Sequence, residues 1–251
     1  MRIRLAACAV ASVALVAAWH PAAATPTPVL VELFTSEGCS SCPPADQLLS
    51  RLADAAATDG ALVIPLGEHV DYWDQLGWRD RFSSAAFTDR QQQYARRFAG
   101  DGPYTPQLVV DGRAECVGSD AATARKAIAK AAAAAHGTLT VTVADGRVRV
   151  TAANLPQKSD ERAGIVLAIT EDGLRSDVTR GENRGRRLTH AAVVRQLVTI
   201  GEAVGATASI ERPLTLSPEW RRDAVHLVAF VQERRAGAVL AAATQPLVPR
   251  P

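Results

Sequence analysis

The chain has 251 residues, 47% of them hydrophobic, a length that suits one large domain or two small ones. Lys and Arg number 28 against 26 Asp and Glu. That balance leaves no basic excess of the kind that draws nucleic acid or anionic lipid, so neither is expected as a partner.

The N-terminus reads as an export signal. Arg2 and Arg4 form a basic start, residues 5–19 an apolar run, and Ala22-Ala23-Ala24 a small-residue cleavage site before Thr25. The run is short for a membrane-spanning helix, although an uncleaved anchor is the alternative. Leu5-Ala6-Ala7-Cys8 looks like a lipoprotein acylation site but precedes the apolar run instead of following it. Residues 1–24 are therefore assigned as a signal peptide. The location is periplasmic or secreted, with no membrane attachment after cleavage. Arg2 and Arg4 are the segment's only charges, so its removal takes the formal net charge from +2 to zero. Cys8 leaves with it. Cys39, Cys42 and Cys116 remain in an oxidising compartment, where the close pair can form a disulfide.

Val29-Leu30-Val31-Glu32-Leu33-Phe34 reads as a strand, and Cys39-Ser40-Ser41-Cys42 follows it. After Pro43-Pro44 comes a helical pattern with Leu48, Leu49 and Leu52 on one face. A strand, then C-x-x-C, then a helix is the arrangement of thioredoxin-like redox sites. It sets the thiols near a helix N-terminus, where N–H groups and the dipole stabilise a thiolate. Pro43 and Pro44 place the helix start after the cysteines, which weakens that effect at Cys39. Glu37, two residues upstream, would raise the Cys39 pKa if its carboxylate were close.

A second strand is predicted over 61–66, a helix over 88–98, and a hairpin of Gln107–Val110 and Ala114–Val117 about Asp111-Gly112. Ser119-Asp120 caps an Ala-rich surface helix over 121–135, and Gly137 ends it. Cys116 reads as a small buried hydrophobe in its strand, or alternatively as a third redox partner. After Gly137 the pattern turns to strands: 139–143 and 148–150 about Asp145-Gly146, then 164–170, 193–200, 225–231 and 238–243. Residues 191–197 read alternatively as a helix. Gly181-Glu182-Asn183-Arg184-Gly185-Arg186-Arg187 reads as a charged loop between strands, or as an anion or partner site. The fold class expected is an α/β thioredoxin-like N-terminal domain, residues 25–136, followed by an all-β sandwich-like C-terminal domain, residues 137–251.

Several motifs carry a family resemblance: the run from Val31 to Asp46 around the cysteines, His69-Val70-Asp71-Tyr72-Trp73-Asp74 with Leu76-Gly77-Trp78, Tyr104-Thr105-Pro106-Gln107, Val109-Val110-Asp111-Gly112, and Gly181-Glu182-Asn183. In this order they resemble the secreted bacterial family called domain of unknown function 1223, of the thioredoxin-like superfamily. Gly67-Glu68 departs from the apolar end expected of a central strand. The resemblance implies Cys39 as nucleophile and Cys42 as resolving thiol. It implies a cis peptide at Thr105-Pro106 beside them, its backbone free to pair with a substrate strand. Tyr72 and Trp73 would form a substrate-contacting rim, or close a small satellite core.

The leading expectation is an exported thiol–disulfide oxidoreductase with no cofactor, acting on a protein or small thiol or disulfide substrate. One alternative is a non-catalytic envelope protein with a structural disulfide and a partner-binding β domain. Another is a copper-binding chaperone using Cys39, Cys42 and His69, since soft thiolates suit Cu(I). No phosphate-binding loop, dinucleotide fingerprint or H-E-x-x-H occurs.

Overall fold

The computed structural model describes residues 25–55, 60–100, 102–158 and 160–248. The predicted signal peptide, residues 1–24, lies outside them.

From the N-terminus the elements are β1 (Thr27–Thr35), α1 (Pro43–Asp54), β2 (Ala61–His69), α2 (Ala85–Phe98), β3 (Gln107–Val110), β4 (Ala114–Val117) and α3 (Ala121–Ala132). Nine strands follow: β5 (Thr138–Ala144), β6 (Arg147–Ala153), β7 (Arg162–Glu171), β8 (Leu174–Asp177), β9 (Arg187–His190), β10 (Val193–Val204), β11 (Ala208–Pro213), β12 (Val225–Glu233) and β13 (Val239–Pro246). The alternating run 193–204 is thus a strand, not the alternative helix. Its β-branched residues favour that choice.

One mixed sheet of eight strands dominates, in the order β13-β12-β7-β10-β2-β1-β3-β4. This overturns the expected fold class. An α/β thioredoxin-like unit followed by a β-sandwich is not what forms, because β10 pairs with β2 and continues the sheet across both halves. The pairing is parallel, at Val193 opposite Gly67, and Gly67 N donates to Ala192 O at 2.8 Å. A Cβ at residue 67 would sit 3.2 Å from Ala191 O, so the bare glycine permits the approach. The exposed edge that β2 would otherwise present is covered. Three further strands, in the order β11-β6-β5, pack their apolar residues on the large sheet. Val148 and Val150 meet Ile165, Leu167 and Leu227 there.

β1 is buried on both faces, and its alternation sorts the two cores. Val29, Val31 and Leu33 face α1 and α3. The Ala-rich helix is accordingly not a plain surface helix: Ala124, Ile128 and Ala131 are buried against that face. Asp120 caps it by accepting from Ala122 N and Thr123 N. On the other face of β1, Leu30 packs with Ile64, Leu66 and Phe87, and Phe34 with Tyr94.

Between them Glu32 is fully buried. It accepts from Arg90 Nε at 2.5 Å and from Tyr94 OH at 2.5 Å. Gln232 of β12 completes the cluster: its Oε1 accepts from Arg90 at 3.0 Å and its Nε2 donates to Tyr94 OH at 2.8 Å. Glu68, the unexpected acid at the end of β2, lies 3.6 Å from Arg90 Nε. Burial, with Glu32 close by, holds its carboxyl well above the usual range, and Arg90 only partly offsets this. The single guanidinium thus bonds Glu32 directly, while Glu68 stands farther off and is pushed toward its neutral form.

Arg90→Met leaves Glu32 buried without its cation and is expected to lower unfolding stability by about 3–5 kcal/mol. Adding Glu32→Gln should recover most of that loss. Urea unfolding of both variants tests it, and an equally unstable double variant would show that the ion pair is not the source.

Candidate functional site

β1 ends at Thr35, and residues 36–42 form a tight loop into α1. Cys39 N donates to Ser36 O at 3.2 Å and Cys42 N to Cys39 O at 3.3 Å. Cys42 is the N-cap of α1, its carbonyl accepting from Ala45 N and Asp46 N, and the helix starts at Pro43. The prolines act as the sequence suggests, supplying φ for the first turn where no N–H is needed. Cys39 and Cys42 lie at disulfide distance, with Cα atoms 5.5 Å apart.

Thr105-Pro106 is cis and faces this pair: Thr105 O lies 4.0 Å from Cys39 Sγ. Trp73 Nε1 donates to Thr105 Oγ1 at 2.9 Å, and its Cβ packs against Gly38, where an added Cβ would come within 3.1 Å. Tyr72 stands beside Trp73 at 6.5 Å between ring centroids. Cys39, Cys42, Thr105, Pro106, Tyr72 and Trp73 therefore meet at one end of the sheet.

His69 does not join the sulfurs. Its Nδ1 is 2.6 Å from Asp80 Oδ2, both side chains being buried. Among the described residues, no three His, Cys, Asp or Glu side chains come together in a metal-holding group. The Cys39, Cys42, His69 ligand set is thus not assembled. Cys116 is a free, half-buried thiol on β4, opposite Leu108. Burial, with Asp120 and Glu115 adding to it, pushes its pKa up to about 11, so it stays a protonated, poor nucleophile.

The remaining contacts to the cysteine loop come from the far half of the chain. β8 and β9 pair into a hairpin whose connecting loop, 178–186, folds over the cysteines. Asn183 is fully buried there. Its Nδ2 donates to Glu37 O and to Cys39 O, each at 2.8 Å, while Arg186 holds its Oδ1 at 2.8 Å. Glu182 accepts from Ser40 N at 3.0 Å. Gly181 has φ +71, and a Cβ there would come 3.2 Å from Trp78 Cβ. The Gly181-Glu182-Asn183 motif and the glycines bounding Glu182–Arg184 were the hints of this tight seat. The charged-loop reading named the residues but not their target.

Glu37 does not confront Cys39. Its Oε2 accepts from Trp78 Nε1 at 2.8 Å and its Oε1 lies 3.1 Å from His190 Nε2. The His190 ring stacks edge-on to His69, centroids 4.8 Å apart, and its Nδ1 is 3.9 Å from Asp46 Oδ2. Five buried titratable groups, Glu37, Asp46, His69, Asp80 and His190, thus lie under the cysteine loop. Burial raises the Asp46 pKa, with His190 and His69 pulling the other way. Burial would lower His69 and raise Asp80, but their contact dominates. His69 is held above its usual value and Asp80 down at about 2. Both cysteines are shut in as well, 1% and 0% exposed.

The His69–Asp80 pair gives stability a defined pH window. Asp80, at about 2 against 3.8 unfolded, contributes about 2 kcal/mol above pH 4, lost as pH falls toward 2. His69, raised above 6.5, contributes below that pH and loses its share as pH rises through the folded value. The stability difference between wild type and Asp80→Asn should therefore peak between about pH 4 and 6.5 and shrink on both sides. Urea melts across pH 2–9 measure it; a flat difference would contradict the pairing.

The family described as protein of unknown function DUF1223 matches residues 30–232. No curated protein matches the chain. Among solved structures, a protein of Agrobacterium tumefaciens is similar at a TM-score of 0.74 and 24% identity, covering 91% of this chain and 98% of that one. HBP35 of Porphyromonas gingivalis is similar at a TM-score of 0.59 and 15% identity, covering 89% and 76%. At these identities the likeness is one of fold. Since the match takes in the cysteine loop, the cis-proline strand and the covering hairpin together, the chain belongs to the DUF1223 family.

Proposed function

We propose that the protein is an exported thiol–disulfide exchange protein, with Cys39 and Cys42 as the redox pair. The observation that carries this reading is the pair's placement ahead of α1 and against the cis Thr105-Pro106 peptide. A substrate thiolate attacks Cys39 Sγ, the Cys39–Cys42 bond breaks, and Cys42 leaves as thiolate. A second substrate thiol then attacks the substrate sulfur of the mixed disulfide. Cys39 is released, leaving the substrate oxidised and the pair reduced. The reverse sequence reduces a substrate disulfide. The helix dipole of α1 favours the departing Cys42 thiolate, although Pro43 and Pro44 offer no N–H and those of Ala45 and Asp46 bond the Cys42 carbonyl. Thr105 offers backbone to an extended substrate, flanked by Trp73 and Tyr72.

A structural disulfide is the competing reading, favoured by the burial of both sulfurs. Attack requires the Glu182–Asn183 cover to lift, so exchange should be slow in the wild type.

Three variants and one potential separate the readings. Cys39→Ser should abolish exchange with a model disulfide, and Cys42→Ser should trap mixed disulfides. Asn183→Ala removes two hydrogen bonds from the cysteine loop and should speed reduction of the pair about tenfold, equivalent to about 1.4 kcal/mol. A reduction potential below about −300 mV, with no exchange in any variant, would establish the structural role.

A further inference from the structure

The other end of α2 carries a feature unrelated to the cysteines. Ser84 N donates to His69 O, which sets the start of α2 at the cysteine end of the sheet. Fourteen residues of helix carry its far end about 20 Å away. There Arg96 and Arg97 meet Arg234 and Arg235 of the β12–β13 turn across a cleft of about 830 Å³, with Gln93 as the remaining wall. Arg97 also lines an adjoining hollow of about 370 Å³ with Arg113 and Lys130. Six cations thus share one end of a chain whose formal net charge is +2.

Little on the protein neutralises them. Arg234 bonds Glu202 Oε1 at 2.8 Å, but Glu202 is shared with Arg162. Glu233 Oε2 accepts from Ala238 N at 2.9 Å, and its carboxylate is one further local counter-charge. Arg97 donates Nε to Gly112 O and Arg113 donates to Val239 O, both carbonyls. Arg96, Arg235 and Lys130 have no partner among the described residues.

The frame under these side chains is stiff. Arg235 and Ala236 sit at φ +58 and +53 in the four-residue connection between Glu233 and Ala238, a left-handed backbone region that non-glycine residues rarely adopt. Holding non-glycine residues there costs of order 1 kcal/mol each, and such strain gathers at functional sites. The turn is locked against the β3–β4 turn. A Cβ at Gly112 (φ +59) would lie 2.2 Å from Gly237 O, and Gln232 Nε2 donates to that same oxygen at 3.0 Å. Arg97, anchored to Gly112 O by Nε alone, keeps its terminal N–H groups for the cleft.

We propose that this cleft binds a compact polyanion carrying two or more phosphate groups. Guanidinium forks converging from a helix end and a turn match tetrahedral phosphate oxygens presented in several directions. Glu202 and Glu233 offset the mutual repulsion of the arginines only in part, and an entering anion relieves the rest.

Calorimetric titration of the whole protein with inorganic tripolyphosphate tests this. One molecule should bind per chain, at least tenfold more weakly at 150 mM than at 20 mM salt. Arg96→Ala with Arg235→Ala should weaken binding at least tenfold, with unchanged melting temperature and unchanged reactivity of the cysteine pair. A parallel arm uses phosphatidylglycerol vesicles. Vesicle binding competed by tripolyphosphate identifies a headgroup as a source of the same phosphate chemistry. Vesicle binding indifferent to tripolyphosphate, no heat at 1 mM tripolyphosphate in low salt, or an unaltered affinity in the double variant would each overturn the proposal.

Discussion

The close approach of β10 to β2 at Gly67 is the constraint on which the rest of the molecule depends. A Cβ at residue 67 would crowd Ala191 O at 3.2 Å and Ala192 O at 3.4 Å, so the bare glycine eases the approach in which Gly67 N bonds Ala192 O. Once that contact forms, the sheet continues from β1 and β2 into β7, β12 and β13. It also delivers the chain just before β10, the β8–β9 hairpin with Asn183 and His190, onto the cysteine loop. The site is therefore completed by residues about 145 positions away from Cys39.

The central strands carry two buried polar clusters that a purely apolar core would not need. Glu32, Glu68, Arg90, Tyr94 and Gln232 tie α2 to β1, β2 and β12 of the sheet. Glu37, Asp46, His69, Asp80 and His190 lie under the cysteine loop and tie it to β2, α1 and the hairpin. Each desolvated charge costs several kcal/mol unless paired and hydrogen-bonded, so such clusters contribute little net stability. Their geometry is directional, however, and an alternative packing of the two halves would strand several charges without partners. The first cluster positions the α2 helix, the second the loop bearing Cys39.

Covering the cysteines has opposing consequences. Asn183 fixes two carbonyls of the loop and Glu182 takes Ser40 N, which excludes solvent from the sulfurs and holds the loop in one conformation. The same bonds would have to be given up in any exchange that first displaces this loop. Three or four hydrogen bonds at a loop edge can be exchanged for water at modest cost, since each contributes only about 1 kcal/mol net. The cover is thus held by a few individually modest bonds. The free thiol Cys116 takes no part, because burial and neighbouring carboxylates keep it protonated.

What the sequence by itself determined is local. The order of strands and helices through residue 117, the start of α1 at Pro43, the cis bond at Thr105-Pro106, the Asp111-Gly112 turn and the late hairpin all follow from periodicity, proline and glycine chemistry, or motif. It brought Cys39, Cys42, Thr105, Pro106, Tyr72 and Trp73 to one place. The tertiary structure alone decided which strands become neighbours. Local patterns carry no record of partner identity, and the pairing of β10 with β2 turned an expected thioredoxin-like unit and sandwich into one mixed sheet. It alone turned Glu37 away from Cys39 toward Trp78 and His190, and gave Glu68 its place beside Arg90. It also set Asn183 against the cysteine loop, because contacts between residues far apart in the chain are fixed by packing and by the demand of every buried charge for a partner.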